Sequence, residues 1–223
     1  MKPQLIEQVG RTSRLRVLNE LKRTPGGLAV RELAERMGMS YMGVKEVCLD
    51  LEKRGLLDTW RDPVKFGRPR LLYRVTPRAH ELFPTASNPL TLEILSAAQK
   101  LFGGTAPDKL LMVAYQQAAQ EYRDRIGGDT VEKRAAALTR LRETAGHMAV
   151  LHDDAPDGLR IVEHHSPILD VLRAHPIIAK MEVELFERVL GVPVRREESA
   201  VSGLFCATFY VGGQDGASQV GSS

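Results

Sequence analysis

The sequence predicts an α+β fold in two modules, and three observations carry that expectation. Charge is divided along the chain: residues 1–85 hold 17 Lys and Arg against 10 Asp and Glu, net +7, and residues 86–223 hold 14 against 18, net −4. In the first part, apolar residues recur at helical spacing and then give way to two short β-runs around a basic Gly/Pro loop. In the second part, long helical patterns lead into alternating, strand-like segments. A chain of 223 residues that is 43% hydrophobic and 26% charged excludes wholesale disorder and fibres. No apolar run reaches the roughly 18 residues of a membrane span. The N-terminus MKPQLIEQVGRTSRLR lacks the apolar h-region of a secretory signal. Cys48 and Cys206 cannot form a disulfide framework, which fits free thiols in a reducing cytoplasm.

The first module reads as helix, short helix, tight turn, helix, hairpin. Residues 12–24 repeat Leu15, Leu18 and Leu21 every three positions, with Arg14, Arg16, Glu20 and Lys22 on the other face. TPGG (24–27) stops that helix, and a second runs from Val30 to Met37. Gly38 supplies a turn and Ser40 stands at an N-cap position. A third helix follows to about Arg54, with Val44, Val47, Cys48 and Leu51 as its core stripe and Gly55 beyond its end. LLDTWR (56–61) and LLYRVT (71–76) then flank the basic loop DPVKFGRPR. This is the order of a winged helix-turn-helix, in which the helix after the turn enters the major groove of DNA. Its outward face offers Ser40, Tyr41, Met42, Lys45 and Glu46 to base edges and phosphates. Lys65, Arg68 and Arg70 in the wing, with Arg14 and Arg31, are candidate phosphate contacts. Cys48 falls on the core stripe, where packing explains a thiol.

Beyond a linker at 85–89, helices are expected over 89–103, 107–126 and 130–146, the last started by a capping box from Asp129 to Glu132. Their amphipathic faces are candidates for pairing across a homodimer, since two-fold operators favour two-fold proteins. AVLHDD and GLRIVEHHS around the turn APDG read as a hairpin. A helix PIIAKMEVELFERVLG follows, with Ile178, Met181, Leu185 and Val189 on one stripe, and VPVRREE and GLFCATFYV close the fold as strands. The expected organisation is a DNA-binding module at 1–84, the linker, a dimerisation and sensor module at 90–212, and a disordered tail at 213–223.

The string LAVRELAERMGMSYMGVKEVCLDLEKRGLLDTWRDPVKFGRPRLLYRVT is similar to the winged-helix domains of ArsR-, MarR- and DeoR-type bacterial regulators. The later stretch EHHSPILDVLRAHPIIAKMEVELFERVLGVPVRREESAVSGLFCATFYV resembles the C-terminal sensor domain of SufR-type regulators, ArsR-like repressors of iron–sulfur assembly operons. That resemblance implies three cluster-binding cysteines, at the positions held here by Ser166, Ala179 and Cys206. Only Cys206 is retained, and a hydroxyl and a methyl do not replace thiolates, so no iron–sulfur cluster is expected. His152, Asp153, Asp154, Glu163, His164, His165 and His175 are candidate ligands, with Cys206, of a zinc, iron or copper ion; adjacent strand residues point to opposite faces, so at most one of His164 and His165 is expected to join Cys206. A metal ion or small molecule is the implied effector.

No GxSxG, P-loop, HExxH or paired CxxC is present, so an enzyme is not expected. The leading expectation is a cytoplasmic DNA-binding regulator, a repressor acting as a homodimer on double-stranded DNA and not at a membrane. The alternative is a metal- or small-molecule-binding protein whose winged helix docks another protein.

Overall fold

A computed structural model describes residues 13–24, 26–62, 70–83, 88–154, 157–201 and 204–212. The chain divides into two compact units: Met1–Pro84 with Ala200–Phe205, and Thr85–Ser199 with Cys206–Ser223. The expected tail and most of the expected linker lie outside the described residues.

The first unit contains α1 (Ser13–Lys22), α2 (Val30–Met37), α3 (Tyr41–Lys53), β1 (Leu57–Asp62), β2 (Arg70–Val75) and a 3-10 helix, Pro77–Leu82, that the sequence reading did not anticipate. Its core is Val17, Leu18, Leu21, Leu33, Val44, Cys48 and Leu51, all fully buried. Apolar residues three and four apart on each helix make this possible. Val47, expected in that stripe, is only half-buried.

Lys22 was expected on the outer face of α1. It is instead 1% exposed, with its ammonium 3.7 Å above the ring of Phe83. The aromatic face partly replaces lost hydration, but burial still lowers the Lys22 pKa to about 7.

Strands β1 and β2 pair antiparallel in the register Leu57↔Val75 to Asp62↔Arg70. Leu28 adds a short bridge to Tyr73, with hydrogen bonds of 3.1 and 2.9 Å in the two directions. Gly27 permits that approach: its φ is +87°, and a Cβ there would lie 2.8 Å from the Tyr73 carbonyl oxygen.

The second unit contains α4 (Asn88–Phe102), α5 (Ala106–Arg125), α6 (Val131–Thr144), β3 (Ala149–Asp154), β4 (Gly158–Glu163), α7 (Leu169–Ala174), α8 (Ile177–Leu190) and most of β5 (Val194–Val201) and β6 (Leu204–Val211). The strands form one sheet in the order β3-β4-β6-β5. Strands β3 and β4 pair antiparallel, as do β4 and β6. Helix α8 buries Ile178, Met181, Leu185 and Val189, the stripe read from sequence, and also Phe186. Phe186 stacks on Phe209 of β6 with centroids 4.0 Å apart.

Three details differ from expectation. Thr130, not Asp129, caps α6: its hydroxyl accepts the Lys133 N–H at 3.3 Å, while Asp129 pairs with the Lys133 ammonium at 3.2 Å. Both residue types cap helices, so spacing alone allowed the slip. Strand β4 ends at Glu163, so His164 and His165 lie beyond it, not within it. Their backbone N–H groups donate to Met148 and His147 carbonyls, and both side chains are buried. Helix α7 was missed, being six residues long and too short for the helical period to show.

Charge lies at the centre of this unit. Arg142 of α6, Glu163 of β4, Glu182 of α8 and His147 are all buried. The Arg142 guanidinium donates to Glu163 Oε1 at 2.5 Å and Oε2 at 2.8 Å, and to Glu182 Oε1 at 2.9 Å. Arg196 of β5 pairs with Glu182 Oε2 at 3.3 Å. The two guanidinium groups also flank the aromatic stack, Arg142 at 5.4 Å from Phe186 and Arg196 at 5.7 Å from Phe209.

Candidate nucleic-acid interface

Helix α3 is placed by its ends. Gly38 takes φ +62°, the left-handed conformation that ends α2. A Cβ there would meet nothing within 4 Å, so the need for glycine is conformational and not steric. Ser40 then caps α3, its hydroxyl accepting the Gly43 N–H at 3.1 Å. The cap orients the helix N-terminus, whose unpaired N–H groups favour phosphate.

One side of α3 is buried through Val44, Cys48 and Leu51. The other side presents the residues that the sequence singled out. Tyr41 is 49% and Met42 60% exposed, and Ser40, Lys45 and Glu46 are also exposed. Leu49, 40% exposed, continues the same face and was missed. Its place three and four residues beyond Glu46 and Lys45 was a sufficient signal. Together these offer a cation, a carboxylate and apolar groups. Those types match, in turn, guanine or phosphate, the cytosine amino group and the thymine methyl.

The cations of this unit divide by what holds them. Arg31 is exposed on α2, and neither it nor Lys45 makes an ion pair with any described residue. Arg14 was expected to contact phosphate. Its Nε instead pairs with Asp50 Oδ2 at 2.7 Å, and Arg54 joins the same carboxylate at 3.1 Å. Burial would raise the Asp50 carboxyl, but the hydrogen bonds and charges of Arg14 and Arg54 outweigh it and hold it below its ordinary range. The pair ties α3 to α1.

Arg70 also departs from expectation, donating to Glu32 Oε1 at 2.6 Å. The other oxygen of Glu32 accepts the Ala29 N–H at 2.8 Å. That backbone hydrogen bond first, then Arg70, keeps the Glu32 carboxyl below its ordinary range. Arg70 therefore ties the loop end of β2 to α2. Lys65 and Arg68 lie outside the described residues. Trp60 on β1, 40% exposed, has the Arg74 guanidinium 5.6 Å from its ring, and Arg74 pairs with Asp58 at 3.2 Å.

Of the candidate ligands of the second unit, His164 and Cys206 come together. Cys206 Sγ lies 4.0 Å from His164 Nδ1, both buried. Burial pushes the Cys206 thiol up, with the Ser199 and Thr208 hydroxyls opposing that rise. His165 does not join them in any cluster of three ligand-type side chains among the described residues; the group that does form is His147, Glu163 and Glu182. A guanidinium already fills that group, since Arg142 Nη2 is 2.8 Å from Glu163, 2.9 Å from Glu182 and 2.9 Å from His147 Nδ1. Ser166 is buried, and its hydroxyl lacks a hydrogen-bond partner among the described residues. One thiol beside an imidazole, with a hydroxyl at 166 and a methyl at 179, does not fit an iron–sulfur cluster.

Capped turn, half-exposed helix and antiparallel hairpin together have the form of a winged helix-turn-helix. Residues 11–58 match the family model for winged helix-turn-helix DNA-binding domains. No curated protein and no solved structure matches the chain. Among the described residues, no helix is long and apolar enough to cross a membrane.

Proposed function

We propose that this protein is a transcription regulator that binds a promoter operator as a homodimer and represses by occupying it. One observation carries the reading: α3 buries one side and exposes Tyr41, Met42, Lys45, Glu46 and Leu49 on the other, with Arg14 and Arg54 braced against Asp50 behind them. The second unit is the dimerising and sensing part, by its resemblance to SufR-type sensor domains. Its donor set speaks for a signal other than a cluster, a small molecule or a metal ion at His164 and Cys206. Catalysis plays no part in this reading.

Anisotropy titrations of duplex DNA against salt test it. Binding should weaken steeply with salt. Lys45→Ala or Arg31→Ala should each lower the salt slope by about 1. Tyr41→Ala should instead change sequence preference. Absence of binding at low salt overturns the reading in favour of a winged helix that docks a protein.

A further inference from the structure

Helix α4 carries two apolar stripes. Leu95 and Ala98 are buried, and its neighbours within the unit are α5 and α7. Asn88 fixes its start, its amide donating to the Pro167 carbonyl at 3.1 Å. The second stripe is Leu90, Ile94, Ala97 and Leu101, and it faces outward: Leu90 is 58%, Ile94 56% and Leu101 75% exposed, and Ala97 is exposed as well.

The spacing of that outer stripe is 4, 3, 4, the alternation of a heptad seam. Solvation of a lone helix does not call for it. Phe102, 78% exposed, extends the apolar surface at the end of α4. Just past the turn, α5 adds Leu110, Met112 and Val113, each between 44% and 50% exposed.

The flanking charges choose the occupant. If Ile94 and Leu101 take the a positions, and Leu90 and Ala97 the d positions, then Glu93 and Lys100 both fall at g. Both are exposed, and neither makes an ion pair with a described residue. In an antiparallel pair of identical helices, g faces g. Stacking Ile94 on the partner's Ala97, and Leu90 on the partner's Leu101, sets the two-fold axis between Ile94 and Ala97. Glu93 then lies opposite the partner's Lys100, and Lys100 opposite the partner's Glu93. A parallel pair would face g against e and leave Glu93 opposite the partner's Ala98.

We propose that α4 pairs antiparallel with α4 of a second copy of this chain, through the Leu90, Ile94, Ala97 and Leu101 seam and two reciprocal Glu93–Lys100 ion pairs. The contact is isologous, as a closed two-fold dimer requires. The seam spans about 16 Å of helix, and the exposed apolar residues of α5 widen it. This inference rests on the dimeric reading above and names its surface.

Sedimentation equilibrium of the full chain tests it. Wild type should be a dimer at micromolar concentration, and Leu101→Glu should weaken association about a hundredfold. Leu101 is three-quarters exposed, so that variant should retain its fold by circular dichroism. Glu93→Lys and Lys100→Glu should each weaken self-association about tenfold. The doubly reversed chain should recover it, and an equimolar mixture of the two single variants should form a heterodimer. A monomeric wild type overturns the proposal. So does a dimer indifferent to Leu101→Glu, or charge variants that do not rescue one another. A wild-type dimer that fails to bind DNA leaves the seam standing and removes the regulator reading instead.

Discussion

The two units use charge in opposite ways. In the first, ion pairs sit at or near the surface and act as braces: Arg14 and Arg54 on Asp50, Arg70 on Glu32, Arg74 on Asp58. Such pairs add little stability each, but they set where α3 and the hairpin stand. The second unit has surface pairs as well, Lys133–Asp129 among them, but the network at its centre is interior. Arg142 is 4% exposed, Glu163 1% and Glu182 3%. Charges out of water cost several kcal/mol unless every partner is present, and then they hold one arrangement. A net charge of +7 on the first part therefore does not mean seventeen cations free for DNA. The charges on a reading face and those that position it are different residues.

Substitutions at three positions can break or sharpen that contrast. Arg142→Ala should be the most damaging, because it strands Glu163 and Glu182 in the interior. A loss of about 3–5 kcal/mol is expected for the second unit, read from urea unfolding. If the loss stays below about 1 kcal/mol, the interior network is not what holds this unit.

Lys22 is the exception within the first unit, a buried cation seated against an aromatic ring, and it should respond to pH. Its folded pKa is about 7 against an ordinary 10.5. Between those values the unfolded chain holds a proton that the folded chain has released, so stability rises with pH across the window. Below pH 7 both states are protonated and the folded state carries the full cost of burial. Lys22→Met should raise the unfolding free energy at pH 6 by an amount on the order of a few kcal/mol, and it should flatten the rise between pH 7 and 10. Equal pH profiles for the two proteins would show that Lys22 is well solvated.

The smallest effect belongs to the cap. Ser40→Ala should cost about 1 kcal/mol and weaken DNA binding further by loosening the N-terminus of α3. Ser40→Asp should preserve stability, which separates capping from contact with the ligand.

The first unit was largely legible in sequence because its determinants are local. Gly38 and Ser40 mark a turn and a cap within three positions, and the apolar period marks α1 to α3. What was not legible is tertiary: Lys22 reads as an outer-face residue until Phe83, far along the chain, is placed over it. Arg70 reads as a DNA contact until Glu32 meets it. In the second unit, His164, His165 and Cys206 stand out in sequence because metal ligands are recognised by residue type. The central residue proved to be Arg142, in a stretch VEKRAAALTRLRET whose arginines look alike. Its partners lie 21 and 40 residues downstream, and no spacing rule joins them. The second stripe of α4 was readable from residue spacing, but not which stripe would be covered.

The convergence on Arg142 also shapes how the second unit assembles. Its partners arrive from β4 and α8, and Arg196 of β5 completes the set through Glu182. An intermediate that has docked some of these elements but not others confines an uncompensated ion, so half-built forms are penalised far more than an apolar core would penalise them. Helix α6, strands β4 and β5, and helix α8 thus gain their stability in one concerted step. The backbone amides they share should exchange with solvent only when the whole unit opens.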